Sequence, residues 1–197
     1  QLNDTLRLNL ILDTGTRSLL IYGKKFRKLQ NILNKKVKVS GWGSAGGVDA
    51  SLSYPNTIAI GEIRGSALGV AVVPGRRLFD EKSSIDGIIG YELFVRFAVE
   101  IDYKSKTLRL YDQLPAAHTI GFNALALEVN RAMPQITSTI HFYDQTSVSL
   151  KLLVDTGSSL GLTLFCNGKD RFYSSDTRKQ VGIGLSGLIH GFELYVR

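Results

Sequence analysis

Two short stretches put an aspartate where an aspartate is expensive. "LILDTGTRSLLI" spans residues 10–21 and "LLVDTGSSLGLT" spans 152–163. In each, an apolar run delivers Asp-Thr-Gly, then a hydroxyl residue, then more apolar residues. A carboxylate is costly to bury as a charge unless it is hydrogen-bonded or shared. The glycine admits close approach of another backbone, and the threonine hydroxyl can bond locally or to a facing loop. One such triplet is weak evidence, because Asp is common at strand ends and Gly in turns. If the two halves of the chain are related by an approximate two-fold axis, Asp13 and Asp155 both point at that axis. Two carboxylates within about 3 Å cannot both ionise, so they hold one proton between them. Such a pair can take a proton from water and give one to a leaving amine. Asp13 and Asp155 are therefore the candidate catalytic pair.

The repetition extends past the triplets. Gly41-Trp42-Gly43 begins 28 positions after Asp13, and Gly182-Ile183-Gly184 begins 27 after Asp155. Gly46 and Gly187 follow at 33 and 32, Tyr54 and Tyr195 at 41 and 40. A constant offset of one is what duplication with a single deletion leaves. A period of 142 residues does not suggest a solenoid. It predicts two pseudo-symmetric lobes, residues 1–115 and 122–197, joined through "QLPAAHTIGF" at 113–122, where the pattern breaks.

The elements that must position these residues read mostly as strands. Residues 5–12 alternate and then turn fully apolar. "NTIAIGEI" and "SALGVAVVP" are short β-rich runs with turn residues between them. "RFAVEIDYKSKTLRLYD" predicts a hairpin turning at Lys104-Ser105-Lys106, and residues 124–129, 136–143 and 147–154 predict further strands. Helical signals are confined to 24–34 and a short turn near 91–95. The expectation is an all-β domain with one or two short helices.

The chain has 197 residues, 44% of them hydrophobic and 21% charged, an ordinary globular composition. No apolar run approaches the roughly 20 residues of a bilayer-spanning helix. Gln1 opens the chain and Met133 is its one methionine, so a processed fragment is expected, with any targeting signal outside it. The net charge is +7, much of it in "KKFRKLQNILNKKVK" at 24–38. Phe26, Leu29 and Leu33 recur there at helical spacing, which predicts a surface helix with a solvated basic face. No recognition motif or interleaved aromatics argue for nucleic acid. Cys166 stands alone, so no intrachain disulfide forms, and it reads as structural. His118, His141 and His190 are isolated and lack metal-ligand spacing; His141 reads as an outward strand residue. No metal and no cofactor are expected.

Taken with "DGIIGYELFVRFAVEIDYKSKTLRLYD", the two triplets make the chain similar to a bacterial retropepsin-like aspartic peptidase with both lobes in a single chain. The resemblance covers nearly the whole sequence. It implies an all-β acid-protease barrel of two lobes with a flap hairpin, and an aspartic endopeptidase in which water is activated between Asp13 and Asp155. It also implies that Thr14 and Thr156 brace the two loops against each other and that Gly15 and Gly157 permit their close approach. Thr16 and Ser158 would bond the carboxylates, and Ile88-Ile89-Gly90 would cross behind the first Asp strand. Residues 39–54 would be the flap, with Gly41, Trp42, Gly43 and Gly46 contacting an extended peptide or protein substrate whose side chains enter alternating pockets. Relatives of this kind are often exported, to the periplasm or the cell surface.

The pattern departs from that family in one respect. Ile88 lies 75 positions after Asp13, whereas the chain runs only 42 positions past Asp155. The second lobe is expected to be truncated, without a counterpart of Ile88-Ile89-Gly90, unless a second chain completes it as a homodimer. Two other readings stay open: a non-catalytic peptide-binding module that keeps the peptidase fold, and a basic-surface binding protein using 24–36.

Overall fold

Short apolar runs and alternating strands dominate the architecture. The computed structural model describes residues 1–23, 26, 29, 31–43, 46–73, 83–142, 145–164 and 179–192. They fall into two compact units, each drawing on both halves of the chain: Gln1–Asn9, Leu20–Asp86 and Leu160–Arg197 form one, Leu10–Leu19 and Gly87–Ser159 the other. Cys166 and Tyr195 lie outside the described residues.

The first unit is a twisted antiparallel sheet. Strands β3 (Ile32–Val39), β4 (Val48–Ile60) and β5 (Ile63–Val73) follow one another as hairpins, and β2 (Leu19–Tyr22) lies beside β5. The uninterrupted apolar end of β5 explains where the core sits. Val70, Ala71, Val72 and Val73 are all buried, with Ile21, Leu2 and Phe26 among the other core residues, as expected of a strand covered on both faces. Pro55 cannot donate to the ladder, and the β4–β5 register shifts between Ser53 and Asn56. The buried Asn56 amide repairs the gap by donating to the carbonyls of Ser53 at 2.9 Å and Leu68 at 3.2 Å. A second hairpin, β12 (Lys179–Gly184) and β13 (Gly187–Gly191), belongs to the same unit.

In the second unit β1 (Leu10–Leu12) runs parallel to β6 (Gly87–Ile89), pairing Leu10 with Gly87 and Leu12 with Ile89. A single helical turn, α1 (Tyr91–Phe94), follows. Next comes the predicted hairpin of β7 (Ala98–Asp102) and β8 (Thr107–Tyr111). A 3₁₀ turn at Ala116–Thr119 occupies the linker, and β9 (Glu128–Asn130), β10 (Met133–His141) and β11 (Ser147–Leu153) make a three-stranded antiparallel sheet. His118 is not isolated: its Nδ1 lies 3.1 Å from the Glu100 carboxylate, which also accepts from the Tyr111 hydroxyl at 2.7 Å. His141 is an exposed strand residue, as expected.

The all-β class is as expected, with four corrections. Residues 32–36 are strand, not helix; pairing Lys36 with Ser51 and Val39 with Val48 overrides the Phe26-Leu29-Leu33 spacing. Residues 5–9 are not strand; a tight turn closes ahead of them, with Leu6 N–H donating to Leu2 O at 2.9 Å and Asn3 and Asp4 at positive φ. The strand expected at 124–129 starts only at Glu128. The strands fall into sheets of six, three, two and two, and no closed barrel is present among the described residues.

Candidate active site

Both aspartates lie in the second unit. Asp13 follows β1 directly, and its N–H donates to Ile89 O at 2.9 Å. The loop then folds back on its own carboxylate. Gly15 N–H donates to Asp13 Oδ1 at 2.7 Å and the Thr16 hydroxyl to Oδ2 at 2.8 Å, while Thr16 N–H reaches Asp13 O at 3.1 Å. The second loop repeats this. Gly157 N–H donates to Asp155 Oδ1 at 2.9 Å, and Ser158 N–H reaches Asp155 O at 3.4 Å and also bonds the carboxylate.

The threonines link the loops reciprocally. Thr14 N–H donates to Thr156 Oγ1 at 3.1 Å, and Thr156 N–H to Thr14 Oγ1 at 3.0 Å. Each hydroxyl passes its own proton across: Thr14 to Val154 O at 2.5 Å, Thr156 to Leu12 O at 3.0 Å. Four bonds thus join two loops 142 residues apart in sequence. Each buried polar group in the grip is satisfied by its partner, the condition under which such a network rigidifies a site.

The grip brings the carboxyls together. Asp155 hydrogen-bonds the Asp13 side chain, and its pKa is raised above the ordinary carboxylate range. Burial is the main cause; the charge of Asp13 and the bond between the two add to it, and the N–H groups of Gly157 and Ser158 pull the other way. The part owed to Asp13 is what like charges sharing a site produce. Glycine is required at this approach: a Cβ on Gly157 would sit 2.6 Å from Asp13 Cγ, and one on Gly15 would sit 3.3 Å from Asp155 Cγ.

Ile88-Ile89-Gly90, expected to cross behind the first Asp strand, runs from β6 beside β1 onto the first loop. A Cβ on Gly90 would lie 2.3 Å from Asp13 O and 2.4 Å from Thr16 O, and Tyr91 N–H donates to Thr16 O at 3.1 Å. One contributor was not foreseen. Glu92 Oε1 accepts the Leu19 N–H at 2.6 Å, and no spacing signal in the sequence marks it.

Gly41, Trp42, Gly43 and Gly46 lie in the other unit, in the β3–β4 hairpin. There the tip meets the tip of β12–β13, the matching segment of the repeat. Ser186, 1% exposed, donates its N–H to Trp42 O at 2.9 Å. The contact is made through glycine: a Cβ on Gly184 would fall 2.0 Å from Trp42 O, and one on Gly43 2.3 Å from Ser186 C. The Trp42 side chain stays largely exposed, at 46%.

No helix among the described residues is long and apolar enough to cross a membrane. A comparison with curated proteins yields no match. The family model described as aspartyl protease matches residues 1–93, the span from the N-terminus through Asp13 and Ile88-Ile89-Gly90 into α1, and over that span the chain is similar to an aspartic-peptidase-like family.

Proposed function

We propose that this chain is an aspartic endopeptidase in which Asp13 and Asp155 share one proton and activate a water between them. The ionised carboxylate takes a proton from water as the oxygen attacks the scissile carbonyl. The shared proton passes to the carbonyl oxygen, giving a gem-diol. Its collapse returns a proton to the leaving amine, so acid and base exchange roles within one pair. Residues 1–115 and 122–197 are read as duplicated halves that each contribute one aspartate. Thr14, Gly15, Thr16, Thr156, Gly157 and Ser158 hold the pair, and by resemblance Gly41, Trp42, Gly43 and Gly46 contact an extended peptide, as in retropepsin-like enzymes.

The observation that carries this reading is the reciprocal threonine grip that brings the Asp13 and Asp155 carboxyls together, with the upward pKa shift at Asp155 to which Asp13 contributes. That shift extends the singly protonated state of the pair above the usual carboxylate range, so cleavage is expected to be strongest at acidic to mildly acidic pH. The test is digestion of fluorescein-labelled casein across pH 3–8. Asp13→Asn and Asp155→Asn are each expected to lower the rate by at least about a thousandfold, and a statine-type transition-state mimic such as pepstatin is expected to block the wild type. Full cleavage by Asp13→Asn would overturn the reading. Tight binding of extended peptides without cleavage at any pH would favour the non-catalytic binding module instead.

A further inference from the structure

The Asp13 loop is tied down at three points by three nearby residues of one segment. Ile89 O accepts from Asp13 N–H at 2.9 Å, Tyr91 N–H donates to Thr16 O at 3.1 Å, and Glu92 Oε1 accepts from Leu19 N–H at 2.6 Å. The first two are backbone bonds that any residue can make. The third depends on one side chain, which bridges 73 residues of sequence to reach the point where the loop becomes β2. Its other oxygen, Oε2, is buried without a hydrogen-bond partner among the described residues. A buried carboxylate oxygen with no donor is costly if charged. Neutral as a carboxylic acid, the group loses only the bonds of one hydroxyl. Burial accordingly pushes the Glu92 pKa up, against the N–H groups of Leu19, Gly90 and its own backbone.

We propose that Glu92 is a positioning residue for Asp13, fixing the exit of the Asp-Thr-Gly loop through the Leu19 N–H so that the Asp13 carboxyl meets Asp155. This deepens the peptidase reading and rests on it for its catalytic consequence, though not for the clamp itself. Glu92 touches neither aspartate. It acts by limiting how far the stretch from Asp13 to Leu19 can move. The carboxyl contact depends on that placement, and a misplacement of about 1 Å in such a site can cost a hundredfold in rate.

The experiment compares wild type, Glu92→Ala, Glu92→Asp and Glu92→Gln in the full chain with two kinds of readout. The first kind needs no cleavage: Leu19 amide exchange, and the Asp155 carboxyl titration followed by NMR. Glu92→Ala is expected to speed Leu19 exchange at least about tenfold and to move the Asp155 midpoint down by about half a pH unit as the pair loosens. Glu92→Asp, one methylene short of the Leu19 N–H, is expected to do the same and serves if the alanine variant fails to fold. The second kind is kcat and KM on one synthetic peptide spanning a bond that the wild type cleaves in casein. Alanine is expected to lower kcat at least about tenfold with KM within about twofold. Glutamine keeps an acceptor at Oε1 and is neutral, so it is expected to rescue all of these. Unchanged Leu19 exchange and Asp155 midpoint in both Glu92→Ala and Glu92→Asp would overturn the proposal, as would a glutamine variant as impaired as alanine. Should the NMR readouts shift as expected while wild type cleaves nothing, the clamp stands and the peptidase reading falls.

Discussion

The two Asp-Thr-Gly loops make nearly the same internal hydrogen bonds on different supports. Asp13 leaves a parallel pair, β1 on β6, with Gly90 packed against its carbonyl and Glu92 at the loop's far end. Thr14 is 8% exposed. Asp155 leaves β11, whose ladder to β10 is antiparallel, with Gln135 opposite Leu153 and Val154 N–H donating to Pro134 O at 2.9 Å. Past Thr156 the second loop opens to solvent at Gly157, Ser158 and Ser159. The loop conformation is therefore written in the triplet itself, since two supports yield it. What the supports change is how firmly each aspartate is held. The first is anchored by its own scaffold, and the second depends more on the threonine grip.

The largest expected effect comes from a methyl group placed behind the firmer loop. In Gly90→Ala the Cβ meets two backbone oxygens, which cannot swing away. Overpacking of this kind costs typically about 1–3 kcal/mol and occasionally more; here about 3 kcal/mol is expected, with cleavage lost. In Gly157→Ala the Cβ meets the Asp13 side chain instead. Rotation can move the carboxyl but not Asp13 Cβ, which the new methyl also meets at 2.9 Å, so about 2 kcal/mol is expected, and cleavage is still lost because the displaced group is the carboxyl. Urea unfolding of both variants beside the casein assay separates these outcomes. Equal destabilisation by both would erase the distinction between a fixed and an adjustable loop.

The grip gives the next largest effect. Thr14→Val and Thr156→Val keep shape but each removes a hydroxyl that both donates and accepts. Leaving a buried amide and carbonyl unpaired costs about 1–3 kcal/mol. Thr14 is the more buried, so water replaces its bonds less well and its loss is expected to cost more. Because each hydroxyl also serves the other threonine's N–H, the double variant is expected to fall short of the sum by about 1 kcal/mol. A strictly additive cycle would show that the loops are held independently.

The comparison also explains what was legible beforehand. The triplets and the matching glycine-rich segments are a pattern written twice at constant offset, the threonine contact is what the resemblance implies, and the meeting of the two hairpin tips is a finding of the structure alone. The hairpin at 98–111 follows from local alternation and turn chemistry. At residues 32–36 two periodicities compete, and strand pairing with β4, a partner later in sequence, outweighs the local one. At 124–127 the apolar residues Leu125 and Leu127 are exposed, at 74% and 53%, so apolar composition without a covering partner did not make a strand. Glu92 was invisible for a different reason. A lone carboxylate in a four-residue helix has no spacing to betray it, and its partner lies 73 residues back.

The smallest expected effect is in the pH dependence of stability. Asp155 and Glu92 both have raised pKa values in the folded state, so the native chain binds more protons than the unfolded one across that interval. Stability then falls as pH rises from the unfolded carboxylate range, near 4, through the folded values. Both contributions are fully present below that range and gone above it. Asp155→Asn removes the first and Glu92→Gln the second, so each variant should lose less stability than wild type between pH 4 and pH 7. Asp155 is only half-buried, and solvent screening holds its share to about 1 kcal/mol or less. Denaturant midpoints at several pH values check this. A wild type whose stability climbs with pH over that interval, in parallel with both variants, would mean that neither carboxyl is held protonated by its loop, and the contrast between the two supports would lose its electrostatic half.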